Sequence, residues 1–463
     1  MKFLLMLLLP LQLLAQQNAV LLKNVNVVNV KTGRIDNNQN VLINGNTIHK
    51  ITSKAISPKH AIVIDGSGKF LIPGLWDMHI HFFHNAVNKQ KEYYFPLFIA
   101  NGVTSVRDMW TKTQNMQYIN EWRKKVGSVT GLVPRFATVG TVVDGVPVVW
   151  PTSDSVKTAE EARAMVHKIK NSGVDFVKVY GRLSREAYFA IVDECKKINF
   201  PFAGHVPESV TFFEAANSGQ KSIEHLFNIF RKWSELSSKE ETFKDVKRGE
   251  WTPALRVELL QSFSDQKAME LAKLYLKNGT SLCPTIVVAA ANMFTYDEKY
   301  IQDERLQYIS EAEKKGWMDF YKAFKPENRS INQLRFEADM KYLNIMYKNG
   351  VSILAGTDLG NPFIYAGFSL HDELEHLVKA GLTPLDALQT ATINAAEYVG
   401  KEKEIGTVSI GKLADLILLD ANPLLDITNT RKINAVVLNG KVLERKDLDH
   451  LLLIARENAK QAN

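Results

Sequence analysis

Between about residues 71 and 402, short β-prone runs alternate with longer helix-like stretches, and that alternation leaves few folds open. Candidate strands are Ser105-Val106-Arg107-Asp108, Phe176-Val177-Lys178-Val179-Tyr180, Phe202-Ala203-Gly204-His205, Ser222-Ile223-Glu224-His225 and Ile353-Leu354-Ala355-Gly356-Thr357-Asp358. Strands joined through helices pair in parallel, so the pattern predicts repeated βα units. The helix after the last run carries its own start signals. Thr383 can cap it, Pro384 suits its first position, Asp386 sits in its first turn, and Leu388 and Ala391 continue an apolar face. A chain of 463 residues has room for a barrel of roughly 250 residues and a second, smaller unit. The expected architecture is α/β: a (β/α)8 TIM-like barrel over 71–402, flanked by a β-sandwich formed from both chain ends.

The flanking unit is read from 18–70 and 403–446, with 447–463 as a C-terminal tail. The first part holds Val20-Leu21-Leu22, Val25-Asn26-Val27-Val28, Val41-Leu42-Ile43 and Ala61-Ile62-Val63-Ile64, separated by turn chemistry such as Asn44-Gly45-Asn46. The second holds Ala414-Asp415-Leu416-Ile417-Leu418-Leu419 and the run from Ala435 to Val442. Neither part alone has enough strands for a stable sheet. The segment 226–350 is longer than two βα units require. Its charged helical stretches, with Trp251, Trp317 and Tyr321, are expected to be a surface elaboration, the alternative being a lid above the site.

Residues 1–17 differ from the rest. Lys2, an apolar run from Phe3 to Leu14 and the small Ala15 describe a signal peptide, so an exported protein, periplasmic or secreted, is expected. The run is short for a membrane span, and no stable membrane anchor is expected. Cys195 and Cys283 fall in different βα units and are expected to be unpaired and buried. The net charge of +7 is scattered, as in Lys401-Glu402-Lys403-Glu404, which excludes a nucleic-acid footprint and leaves a small-molecule substrate as the expected partner. A homo-oligomer is compatible with all of this.

Chemistry concentrates in a few residues. In Asp77-Met78-His79-Ile80-His81, alternation puts His79 and His81 on one strand face and Met78 and Ile80 on the other. Two imidazoles on one face make half of a tetrahedral metal site. His205, His225 and Asp358 each end a candidate strand, and β/α barrels collect their active sites at the C-terminal strand ends. Lys178 shares a face with Phe176 and Tyr180, pointing into the barrel mouth if Val177 and Val179 meet the helices. A lone ammonium beside metal ions is repelled and costly to desolvate. Reaction with carbon dioxide would turn it into an anionic carbamate able to bridge two metals; pairing with a nearby carboxylate is the other reading. Tyr180 could hydrogen-bond a tetrahedral intermediate and Arg182 a substrate carboxylate.

Four stretches together resemble the amidohydrolase superfamily: Pro73-Gly74-Leu75-Trp76-Asp77-Met78-His79-Ile80-His81, Gly173-Val174-Asp175-Phe176-Val177-Lys178, Ser222-Ile223-Glu224-His225 and Gly356-Thr357-Asp358. The chain is similar in particular to imidazolonepropionase-like and prolidase-like members, the latter cleaving Xaa-Pro or Xaa-Arg dipeptides. His371-Asp372-Glu373-Leu374-Glu375 and Gly411-Lys412-Leu413-Ala414-Asp415 agree with it. The resemblance implies that His79, His81 and Asp358 hold one metal and His205 and His225 a second, both most simply Zn2+. It implies N6-carboxylysine at Lys178 as the bridge, a metal-held hydroxide as nucleophile, and Asp358 as general base and acid. The implied reaction is hydrolysis of an amide-type C–N bond in a dipeptide, an N-acyl amino acid or a cyclic amide. The rival is a one-metal deaminase in which Glu208 of His205-Val206-Pro207-Glu208 shuttles the proton. A non-catalytic binding protein on the same scaffold would be expected to have lost ligands, and here all six positions are filled.

Overall fold

The computed structural model describes residues 19–81, 87–111, 116–126, 132–226, 233–323 and 328–462. The expected signal peptide lies outside them. Parallel strands dominate the centre. Leu75–Ile80, Val103–Asp108 and Arg135–Thr138 form one parallel sheet in that order. A second parallel sheet runs Asp154–Ser155, Val142–Asp144, Val177–Val179, Phe202–Gly204, Ser222–Glu224, Ser281–Cys283. Helices intervene as the alternation predicts, among them Ala159–Asn171 between Asp154–Ser155 and Val177–Val179, and Arg185–Lys197 before Phe202–Gly204.

The expected strand at 353–358 is not a regular ladder. Instead 352–359 stitches the two sheets together. Leu282 N donates to Ser352 O at 2.9 Å and Leu354 N to Leu282 O at 2.9 Å on one side. On the other, Met78 N donates to Ala355 O at 2.8 Å and Asp358 N to His79 O at 2.7 Å. At the far margins, Asp175 N donates to Thr138 O at 2.8 Å. The Asp358 backbone has φ 58°, and that left-handed turn breaks the ladder while aiming its carboxylate at the histidines.

Both chain ends meet as expected, but in a single hydrogen-bonded sheet and not in two facing ones. Eight strands contribute, with Phe70–Pro73 from the N-terminal part pairing antiparallel to Leu416–Leu419 from the C-terminal part. Period-two alternation divides this sheet's apolar residues. Leu71, Leu416, Leu418, Ala435 and Val437 build its own core, while Ile72, Ile417, Leu419, Val436 and Leu438 join the large central core. The flanking unit is thereby anchored to the β/α body.

Two expectations are corrected. The tail from 447 is part of a helix, Arg445–Gln461, whose Leu448, Leu451, Ala455 and Ala459 are buried, and which packs on the helix Val87–Ala100. The segment 226–350 is not surface decoration: Trp251 and Trp317 are buried, and it supplies the strand Ser281–Cys283. Trp317 packs 5.4 Å from both the Phe363 and Tyr365 rings, and so backs the loop that follows Asp358. The cysteines are free and buried, as expected. Thr383 caps Pro384–Thr390 through Asp386 N, also as expected. Among the described residues, no helix is long and apolar enough to cross a membrane.

Candidate active site

The Leu75–Ile80 strand delivers His79, fully buried, with His81 just beyond it. Their Nε2 atoms face each other at 3.3 Å. Asp358 Oδ1 lies 2.8 Å from His81 Nε2 and 3.5 Å from His79 Nε2, so these three groups offer donor atoms within one metal-sized space. On the other side, His225 Nδ1 stands 3.8 Å from Asp358 Oδ2, and the His225 ring is centred 4.5 Å from His79 and 4.8 Å from His205. The His205 ring in turn lies against Tyr180, with centroids 4.1 Å apart and the planes tilted by 34°. The four histidines and Asp358 therefore come together, as the strand-end argument predicts.

Lys178 sits among them, fully buried on Val177–Val179. Its Nζ has no hydrogen-bond partner among the described residues, so pairing with a carboxylate, the alternative weighed for this residue, is not seen. Burial pulls its ammonium down to about 8, against the attraction of Asp358 and Glu224. Burial likewise holds His79, His205 and His225 well below the usual imidazole value. Neutral imidazoles, an orphaned amine and a carboxylate suit a divalent cation's demand for lone pairs.

Two glycines make room for this cluster. A Cβ on Gly204, which has φ 128°, would lie 2.3 Å from Val179 O and 3.1 Å from Lys178 Cγ. A Cβ on Gly356 would lie 2.8 Å from His79 N and 2.6 Å from Cys283 Sγ. Either side chain would displace a ligand-bearing strand.

Beneath the histidines runs a buried network that sequence reasoning missed. His79 Nδ1 is 2.7 Å from Glu224 Oε2, which also accepts from Arg107 Nη2 at 2.7 Å. Arg107 further donates to Ser222 Oγ at 3.0 Å and to Met78 O at 2.5 Å. With Nδ1–H donated to Glu224, the lone pair of His79 is left on Nε2, facing the cluster. Asp77 performs a similar service for the opposite strand, accepting from Thr357 Oγ1 at 2.7 Å and Thr357 N at 3.0 Å.

Thr285 orients His225, its Oγ1 lying 2.8 Å from Nδ1. That leaves the helix Ile286–Phe294 without a cap from Thr285. Buried Glu373 substitutes, accepting from Val287 N at 2.7 Å. Burial pushes the Glu373 carboxyl up to about 8, although the amides of Val287 and Ile286 favour its charge. A folded-state value above the unfolded one means that the native state holds a proton the unfolded chain releases. Stability conferred by this group is complete below the unfolded value and is lost as pH rises through about 8. Thermal midpoints measured from pH 5 to 8 should therefore fall less in Glu373→Gln than in the parent. The difference should approach about 1.4 kcal/mol per pH unit at most. Parallel curves would contradict the assignment.

The substrate-side expectations fare unequally. Tyr180 is half-buried at the mouth, its hydroxyl accepting from Trp150 Nε1 at 2.8 Å, and burial pushes its phenol up to about 12. Arg182 has a different task from the one expected. Its Nη1 donates to Pro147 O at 3.0 Å and Val148 O at 3.2 Å, holding down the loop that carries Trp150. Asp144 fastens the same loop by accepting from Val149 N at 2.8 Å and Arg182 N at 2.7 Å. Glu208 lies in a turn after His205, with its N–H donated to Gly181 O at 2.8 Å. Among the described residues, its side chain makes no bond to the cluster.

Comparison with known proteins bears on this arrangement. The family described as "Amidohydrolase family" matches residues 70–443. A solved bottromycin amidohydrolase is 22% identical, with a TM-score of 0.74 over 95% of this chain and 90% of its own. A solved Xaa-Pro dipeptidase with bound methionine is 21% identical, with a TM-score of 0.65 over 92% of this chain and 100% of its own. Among curated proteins, a 5-methylthioadenosine/S-adenosylhomocysteine deaminase of Caldanaerobacter subterraneus subsp. tengcongensis is 20% identical across 92% of this chain and 93% of its own. At such identities the likeness is one of fold.

Proposed function

Because the chain belongs to the amidohydrolase family, whose members are metal-dependent hydrolases, we propose that it hydrolyses amide-type C–N bonds in small substrates such as dipeptides, N-acyl amino acids or cyclic amides. The observation that carries this is Lys178, buried without a hydrogen-bond partner amid depressed imidazoles. The ammonium first gives up one proton; the neutral Nζ then bonds to the carbon of CO2 and releases a second, leaving anionic carbamate oxygens in its place. His79, His81 and Asp358 would then hold one ion, His205 and His225 a second, and modified Lys178 would join both. Zinc suits these donors. When bound, such ions lower the pKa of water towards neutrality and polarise a carbonyl.

The chain's own groups do the rest. Asp358, 2.8 Å from His81 Nε2 and held in its left-handed turn, accepts the proton of the attacking water at its carboxylate and returns it to the leaving nitrogen. Tyr180, aligned by Trp150, offers its O–H to the developing oxyanion. Trp150, about half exposed at 48%, gives the mouth an aromatic wall that apolar substrate side chains can cover. The bonds at 352–359 and between Asp175 and Thr138 support a closed (β/α)8 barrel as the frame. The apolar leader-like run from Phe3 to Leu14 supports export to the periplasm or beyond.

One observation favours a second reading: the deaminase relative spans nearly the full chain. A one-metal aminohydrolase would use Glu208 as proton shuttle. Assaying zinc- and bicarbonate-loaded protein separates the two. Free amine and carboxylate from N-acyl amino acids or dipeptides, without ammonia, is the expected result. Ammonia from aminated heterocycles, with amides left intact, would transfer the assignment to the deaminase.

A further inference from the structure

At the end of the strands opposite the histidines lies a cavity of about 450 Å³. It opens among Arg135, Phe176, Pro201 and Lys221, which begin or directly precede the strands Arg135–Thr138, Val177–Val179, Phe202–Gly204 and Ser222–Glu224. His205 and His225 follow the last two of those strands, so the cavity and the metal-ligand cluster sit at opposite strand ends.

Charge bookkeeping in the cavity leaves one cation over. Arg123 is paired with Asp175 at 2.5 Å, Arg135 with Asp415 at 2.6 Å, and Lys401 with Glu404 at 2.7 Å. Lys221 has no carboxylate partner among the described residues; its Nζ lies 4.7 Å from the centre of the Tyr398 ring. The remaining lining is largely apolar, with Trp76, Phe136, Phe176 and Ile405 around Tyr398. Tyr398 is fixed by a hydrogen bond of 2.9 Å to Ser222 Oγ, and its ring also lies 4.9 Å from the Arg107 guanidinium.

We propose that this cavity is a second binding site, for a small organic monocarboxylate with an aromatic or apolar body. The carboxylate pairs with Lys221, and the body packs along Trp76, Phe136 and Phe176. One open cation matches one negative charge. Inorganic phosphate would leave the apolar walls uncovered, and a cationic ligand would face a net positive rim. The site does not depend on the hydrolase reading, since none of its residues is a proposed metal ligand.

The test is fluorine NMR of 4-fluorophenylacetate with zinc-loaded full-length protein, alongside neutral 4-fluorobenzyl alcohol and inorganic phosphate as competitor. Saturable broadening of the acid alone, not displaced by phosphate, is expected. Lys221→Met should weaken it at least tenfold, and Ile405→Trp should block it by filling the cavity while leaving every charge in place. Asp358→Asn should leave it unchanged. Circular dichroism checks folding, and if Lys221→Met does not fold, Ile405→Trp decides. Binding that survives the folded variants, binding lost in Asp358→Asn, or no binding at millimolar probe would each overturn the proposal.

Discussion

Asp358→Asn is expected to lower kcat for amide hydrolysis by about 10²–10⁴-fold while thermal stability changes little. Asparagine keeps the shape of the group whose Oδ1 lies 2.8 Å from His81 Nε2. It also tolerates the left-handed backbone at φ 58° better than most residues, so the turn survives. What it lacks is a charge to hold an ion and a basic oxygen to carry the proton from water to the leaving nitrogen. Steady-state kinetics on the best amide substrate, with melting curves of both proteins, make the comparison. An unaltered kcat would remove Asp358 from the chemistry.

Glu224→Gln should cost about 3–5 kcal/mol of stability, because it strips the carboxylate from Arg107, which is fully buried. The same change weakens the acceptor at 2.7 Å that fixes the tautomer of His79. Zinc affinity should therefore fall about 10–100-fold. The two effects can be separated. Arg107→Met combined with Glu224→Gln removes the uncompensated charge and should recover much of the lost stability, but not the zinc affinity. Urea unfolding and zinc competition titrations read the two quantities. Recovery of both together would mean that Glu224 acts on fold alone.

Much of the site was legible because strand periodicity is local. His79 and His81, two residues apart, and Lys178 and Tyr180, two apart, are assigned to a face by alternation alone. His205, His225 and Asp358 follow from where apolar runs end. The resemblance of those same stretches to amidohydrolases pointed to the family that the match over 70–443 establishes. What escaped depends on contacts remote in sequence. Arg107 and Glu224 meet across 117 positions, and nothing near either residue announces the other. Arg182 offers a free guanidinium on paper; only the folded loop at 145–150 brings Pro147 O and Val148 O to it.

The helix Arg445–Gln461 is a different kind of miss. Leu448, Leu451, Ala455 and Ala459 lie on one helical face and signalled it. The aromatic residues of 226–350 misled for a physical reason. Charged helices look solvent-facing in sequence, yet Trp317 is needed to back Phe363 and Tyr365 behind Asp358.

We propose that these donors hold two ions joined through a modified Lys178. Metal content per chain, measured on protein purified without chelator and paired with native intact mass, addresses it most directly. Close to two divalent ions and a carboxylated lysine are expected, with both lost in Lys178→Met. One ion or none beside an unmodified Lys178, after zinc and bicarbonate have been supplied, would contradict the account.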